Sequence, residues 1–171
     1  MNAEKASPDP SGPDEASQKD VLNDRYRIVK SLGRGGMGEV FYVEDMLREN
    51  QPMALKTLLP QTTDRLLTSG FKDEFAELAK IRHPNLAAAY DFGRVVGTDE
   101  HFFTTEFIDG VDLIEVTREA SLRQLFQVMA QLLRGVDFIH NHKLLHNYLK
   151  PANILLETTS GETTEKTTGA G

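Results

Sequence analysis

The sequence predicts an α+β fold: a five-stranded antiparallel sheet interrupted by one helix, then a long helix, then a polar loop feeding a last strand. Three observations carry this. Short alternating apolar runs follow one another with turn residues between them. One later stretch has sustained helical periodicity, and both tails lack the large apolar side chains that a core needs.

The elements follow in order. "RYRIVKSL" (25–32) alternates and stops at glycines, which makes it a first strand. "EVFYVED" (39–45) and "PMALKTLL" (52–59) supply the second and third. "GFKDEFAELAKI" (70–81) puts Phe71, Phe75, Leu78 and Ile81 at helical spacing, and Pro84 ends that helix. "LAAAYDFGRVV" (86–96) and "HFFTTEFI" (101–108) are strands around the turn "GTDE". The long helix runs from Ser121 to about His140. Leu122, Leu125, Phe126, Met129, Leu132, Leu133, Val136 and Ile139 form its apolar stripe, and Ser121 with Gln124 is a capping box. "LLHNYLKPANILL" (144–156) is a polar loop followed by an apolar strand.

One domain is expected from 171 residues. Residues 1–24 are an acidic, Pro- and Ser-rich tail, expected to be disordered. The folded part spans 25–156, and the Thr- and Gly-rich residues 157–171 are again expected to be disordered. The net charge of −7 lies mostly in these tails, leaving about −1 for residues 25–156. No clustered basic face points to nucleic acid. No apolar run reaches the ~18 residues of a membrane span, and the N-terminus has no apolar signal core. With no cysteine, disulfide and thiolate chemistry are excluded, which fits a cytoplasmic location.

"GRGGMG" sets Gly33, Gly35 and Gly38 in a GxGxxG pattern. Read alone, this is a glycine-rich hairpin turn as readily as a phosphate loop. A dinucleotide-binding turn needs a helix next, whereas "EVFYV" is a strand. Glycines between two antiparallel strands let backbone amides lie close over phosphates. Lys56 alone is a strand lysine, and Glu74 alone an exposed helix charge.

Together these residues resemble the eukaryotic-type (Hanks-type) Ser/Thr protein kinase family, including its bacterial members. The resemblance rests on "LGRGGMGEVF", "MALK", "FKDEFAELAKIRHPNL", "TTEFIDGVDL" and "HNYLKPANILL", in that order, and covers residues 25 to about 156. It implies a kinase N-lobe over about 25–110 and the start of a C-lobe over about 111–156. It implies ATP under the loop glycines Gly33, Gly35 and Gly38, with Lys56 on the α- and β-phosphates and Glu74 pairing with Lys56. Glu77 is the rival to Glu74, read as a surface charge. Val40, Ala54 and Leu155 are implied to sandwich adenine, with Thr105 as gatekeeper, the backbones of Glu106 and Ile108 at the adenine edge, and Asp112 at the ribose. Lys150 matches the lysine near the transferred phosphate, and Asn153 the ligand of one Mg2+ ion.

The sequence departs from that family twice. The loop reads His146, Asn147, Tyr148, Leu149, so Tyr148 stands where the family has its catalytic aspartate. A phenol, with an ordinary pKa of about 10, accepts protons poorly at neutral pH, and losing a general base removes about 10²–10⁴-fold in rate. No DFG motif follows Leu156, so the second metal-binding aspartate is missing. The expected protein is an ATP-binding member of a Ser/Thr kinase family with impaired phosphotransfer. The alternatives are a pseudokinase acting as a binding module, a split protein completed by another chain, and a β-rich binding domain outside the family. The substrate is unassigned. With C-lobe helices lacking, the apolar face of 121–140 is expected to self-associate or to meet a complementing chain.

Overall fold

The computed structural model describes residues 21–36, 38–60, 62, 71–146, 149–159 and 162–167. Six strands form the main antiparallel sheet: β1 (Val21–Leu22), β2 (Tyr26–Gly35), β3 (Gly38–Asp45), β4 (Gln51–Leu58), β5 (Ala89–Arg94) and β6 (His101–Glu106). Their order is β1-β2-β3-β4-β6-β5. The five expected strands are β2 to β6. The sixth, β1, pairs Val21 and Leu22 with Arg27 and Tyr26, inside the stretch expected to be a disordered tail. The rest of that tail lies outside the described residues.

Helix α1 (Phe71–Leu78) packs Phe75 against Leu58, Ala89 and Phe103 on one side of the sheet. A second cluster, Tyr26, Val43, Met53, Leu55 and Phe102, fills the other side. The alternation of β4 explains the division. Met53 and Leu55 bury on one face, whereas Ala54 and Lys56 turn to the opposite face. Asp45 is fully buried yet satisfied. It accepts from Arg25 Nε at 2.9 Å, Arg25 Nη2 at 2.7 Å and the Leu47 N–H at 3.1 Å. Arg25 also reaches Asp91 at 2.8 Å, which ties β3, β5 and the β1–β2 turn together.

After β6 the chain forms β7 (Gly110–Asp112), the short helix α2 (Leu113–Thr117) and the long helix α3 (Leu122–Asn141). The Ser121–Gln124 capping box is present in both directions. The expected apolar stripe on α3 divides in two. Leu132 and Ile139 are buried, joined by Val128 and Gly135 from outside the expected stripe, while Leu122 (74% exposed), Phe126 (73%), Met129 (43%) and Leu133 (62%) face outward. The buried edge meets the segment between α1 and β5, where Asn85 Nδ2 donates to Gln131 Oε1 at 3.1 Å and Gly135 lies against Asn85. No helix among the described residues is long and apolar enough to cross a membrane.

A 3₁₀ turn (Pro151–Asn153) leads into β8 (Ile154–Thr159), which pairs with β7 and with β9 (Glu162–Thr167). Disorder from Glu157 onward is therefore corrected. Residues 157–159 and 162–167 form strand backbone, and β9 lies against α3. Apolar content predicts burial, but a Thr-rich segment has good strand propensity once a neighbouring strand offers its edge. Residues 160–161 and 168–171 lie outside the described residues.

Candidate nucleotide-binding cleft

Strand register builds the site. Val40 lies across from Lys56, Lys56 across from Phe103, and Ala54 across from Thr105. Residues opposite one another share a face, and Ala54 and Lys56 are two apart. Val40, Ala54, Lys56, Phe103 and Thr105 thus line one wall of a cleft of about 290 Å3. Leu32 and Gly33 form its lip, Glu106, Phe107 and Ile108 its inner edge, and Ala152, Asn153 and Leu155 the opposite wall. Such a cleft is at the small end of the range for ligand sites, which starts at about 300 Å3.

Most of the expected site residues converge there: Gly33, Val40, Ala54, Lys56, Thr105, Glu106, Ile108, Asn153 and Leu155 all line the cleft. Leu32, Phe103, Phe107 and Ala152 line it too and were not expected. Phe103 was legible, because it stands two residues before Thr105 on the same strand and therefore on the same face.

Other expected residues fall elsewhere. Gly35 and Gly38 pair with each other at the hairpin end, outside the cleft lining. Gly38 has φ +149°, and a Cβ there would come 1.7 Å from the Thr57 carbonyl oxygen, so this position requires glycine for packing. Asp112 lies across from Leu155, but its carboxylate accepts the Glu115 N–H at 2.9 Å and caps α2. The expected Lys56–Glu74 pair is not made. Glu74 lies on the exposed side of α1, and Lys56 takes part in no ion pair among the described residues. Its Nζ sits instead 6.0 Å above the Phe103 ring. The buried face of α1 belongs to Phe75, and the helix turns Glu74 outward. Glu77 pairs with Lys80 on the surface, as expected of it.

The electrostatics of the cleft centre on Lys56. Burial, reinforced by the nearby Lys150 charge, lowers the Lys56 pKa below its ordinary value. Lys56 lines the cleft, and Lys150, outside that lining, lies near enough for its charge to act on Lys56. Asn153 is buried at the cleft wall and donates its N–H to the Lys150 carbonyl at 2.9 Å. Both His146 ring nitrogens are buried without a hydrogen-bond partner among the described residues, and burial lowers its pKa. Asn147 and Tyr148 lie outside the described residues.

The arrangement fits a polyphosphate better than it fits its metal. Two lysines and a glycine lip suit phosphate oxygens. Mg2+ in such sites takes one or two carboxylates besides the phosphates. Asn153 is the expected ligand present, no cluster of three metal-binding side chains occurs among the described residues, and the one carboxylate at the cleft, Glu106, is turned toward the Ala88 N–H.

The protein kinase domain family model matches residues 26–164. The probable serine/threonine-protein kinase PknB of Lactococcus lactis is 30% identical over 142 residues, which are 81% of this chain and 22% of that protein. The serine/threonine-protein kinase PrkC of Bacillus subtilis is 27% identical over 140 residues, 80% of this chain and 21% of that protein. The crystal structure of the Mycobacterium tuberculosis PknI kinase domain superposes with a TM-score of 0.75 at 25% identity, covering 88% of this chain and 61% of that one. The chain thus spans about a fifth of the length of the curated relatives it matches. The order of strands, the cleft between the sheet and β8, and these matches lead to one conclusion: the chain belongs to the protein kinase family, as a partial domain of the bacterial Hanks type.

Proposed function

We propose that this chain is an ATP-binding module of the kinase family whose parent activity is ATP-dependent Ser/Thr phosphorylation, and that its own phosphotransfer is lost or very weak. The observation that carries the binding half is Lys56 at an apolar slot formed by Val40, Ala54 and Leu155, with the Lys150 charge near enough to act on it. The slot suits a planar base, and the two cations suit the phosphates.

Two observations support the loss of phosphotransfer. Tyr148 occupies the place of the general base in the sequence. β9 runs back along β8 to Thr167, across from Ile154, and no group of three acidic or histidine side chains that could hold a metal occurs among the described residues. When bound, Mg2+ would neutralise phosphate charge, and among the described residues Asn153 is the expected ligand at the cleft that would hold it. ATP supply makes the cytoplasm the proposed location.

The test is calorimetric titration of ATP into the purified chain, with and without Mg2+, beside a phosphotransfer assay on a generic Ser/Thr substrate. Binding without turnover is expected. Turnover that disappears in Lys56→Ala refutes the inactive reading, and the absence of any ATP heat in the wild type refutes the binding one.

A second reading is favoured by the outward stripe Leu122, Phe126, Met129 and Leu133 on α3. On it, the chain acts as an interaction module, through self-association or a complementing chain seated on that stripe.

A further inference from the structure

Two irregularities of the glycine hairpin meet at Glu39. One lies between β3 and β4. Their ladder ends at Val40 and Lys56, although β4 runs on beside β6 to Leu58. Glu39 is the first residue beyond that ladder. Its N–H donates to Thr57 Oγ1 at 3.4 Å, and the Thr57 hydroxyl donates to the Glu39 carbonyl at 3.4 Å. A hydroxyl both donates and accepts, so this one serves both polar backbone groups of Glu39 where the ladder gives out.

The other is a bulge in β2. Ser31 lies across from Phe41 and Gly33 across from Val40, so Leu32 is the extra residue. A bulge re-aims a side chain, and Leu32 lines the lip of the cleft. The Glu39 carboxylate straddles this bulge. Its Oε1 accepts the Ser31 hydroxyl at 2.8 Å on one side, and its Oε2 pairs with Arg34 Nε at 3.2 Å on the other.

Alternation places these contacts behind the cleft. Val40 and Lys56 turn to the cleft, so Glu39 and Thr57 turn to the outer face of the sheet. The Glu39 side chain is only 23% exposed, and a carboxylate so covered depends on its partners. Leu32 is itself exposed and is followed by Gly33, Gly35, Gly36 and Gly38, whose backbone is costly to hold in one conformation. The restraint on the lip therefore comes from the outer carboxylate.

We propose that Glu39 is a positioning residue. From the outer face it brackets the Leu32 bulge, holds Leu32 at the lip of the apolar slot, and so sets affinity for the base of a nucleotide rather than for its phosphates. The proposal rests on the nucleotide-binding reading above. The bracket and the ligand are tested separately, by amide hydrogen exchange of residues 31–35 in the ligand-free chain and by calorimetry with ATP, adenosine and inorganic triphosphate.

In Glu39→Ala the exchange of residues 31–35 is expected to quicken about fivefold, the net worth of one hydrogen bond. ATP and adenosine affinities are expected to fall together by a similar factor, with triphosphate affinity unchanged. Ser31→Ala should reproduce this. Glu39→Gln keeps an oxygen for Ser31 and gives up only the pair with Arg34, which is 80% exposed, so it is expected to recover most of the wild-type behaviour. Leu32→Ala should weaken ATP too, and adding Glu39→Ala to it should cost nothing more, because both act through one contact. Triphosphate binding and a thermal melt report that each variant is folded. Unaltered exchange in Glu39→Ala overturns the bracket. An equal loss of triphosphate affinity overturns the role at the base, because the effect is then general. Losses from Glu39→Ala and Leu32→Ala that add in full overturn the route through Leu32. A bracket verified by exchange in a wild-type chain that binds neither ATP nor adenosine overturns the nucleotide reading, and the affinity role with it.

Discussion

Replacing Lys56 with methionine separates two accounts of the cleft by the sign of the stability change. If Lys56 were ion-paired with Glu74, removing it would leave a carboxylate unpaired and destabilise the fold. In the structure Lys56 has no carboxylate partner among the described residues, lies over Phe103, and feels both burial and the Lys150 charge. Methionine keeps the length of the stem and removes a charge that burial already disfavours. The expected change in stability is therefore between zero and a gain of about 1 kcal/mol, or up to about 4 °C in Tm for a chain of this size. ATP affinity moves the other way. A charge-assisted bond to phosphate contributes about 1.5–3 kcal/mol, so Lys56→Met weakens ATP about 10- to 150-fold. Thermal melts of the ligand-free variant and calorimetry with ATP measure the two halves. A Tm lowered by several degrees refutes the unpaired-lysine geometry, and unchanged ATP affinity refutes the phosphate role. The same logic gives a pH dependence. Binding draws on protonated Lys56, so affinity is full below the lowered pKa of the free chain and declines as pH rises through it.

Further expectations concern the frame. Asp45→Asn leaves Arg25 short of its buried carboxylate, although Asp91 and solvent still reach it, and should cost about 2–4 kcal/mol in a urea melt; a loss under 1 kcal/mol contradicts the buried network. Acid should weaken the fold in two ranges. His146 has a lowered folded pKa, so the unfolded chain takes up its proton first and stability falls as pH drops below about 6.5. Asp45 is likewise lowered, chiefly by the Arg25 hydrogen bonds, and adds a second loss below about pH 4. His146→Gln should flatten the upper range only, and an unaltered profile there counts against the buried neutral ring. Gly38→Ala should be strongly destabilising because its Cβ meets the Thr57 carbonyl, whereas Gly33→Ala, with nothing within 4 Å, should be tolerated; equal melting of the two variants rejects the assigned contacts. Phe126→Glu with Leu133→Glu should abolish any concentration-dependent sedimentation of the wild type, and unchanged association in that variant removes α3 as the interface.

Much of the fold could be read from local pattern. Alternation marked β2 to β6, and the Ser121–Gln124 box marked where α3 begins, because both signals arise within one element. Order and spacing of the motifs also marked most of the cleft residues, since a period of two sets the face once Lys56 is assigned. Legibility ended where a residue's role depends on a distant partner. β1 is only two residues long and β9 has no large apolar side chain, and each is a strand because β2 or β8 offers it an edge. Asp112 lies across from the cleft residue Leu155 by register, yet a nearer N–H draws its carboxylate to a helix cap.

The sequence by itself determined the family, the order of elements and the chemistry available: two lysines, an asparagine, a tyrosine in place of a base, and no cysteine. These are matters of residue type and spacing, which do not change with the fold. The tertiary structure alone decided how the charges meet. It set Lys56 against Lys150 rather than Glu74, turned the Glu106 carboxylate back onto Ala88, and left half of the α3 stripe facing outward. Electrostatic and packing energies depend on distance and burial between residues far apart in the chain, and those distances exist only once the sheet, α1 and α3 have packed.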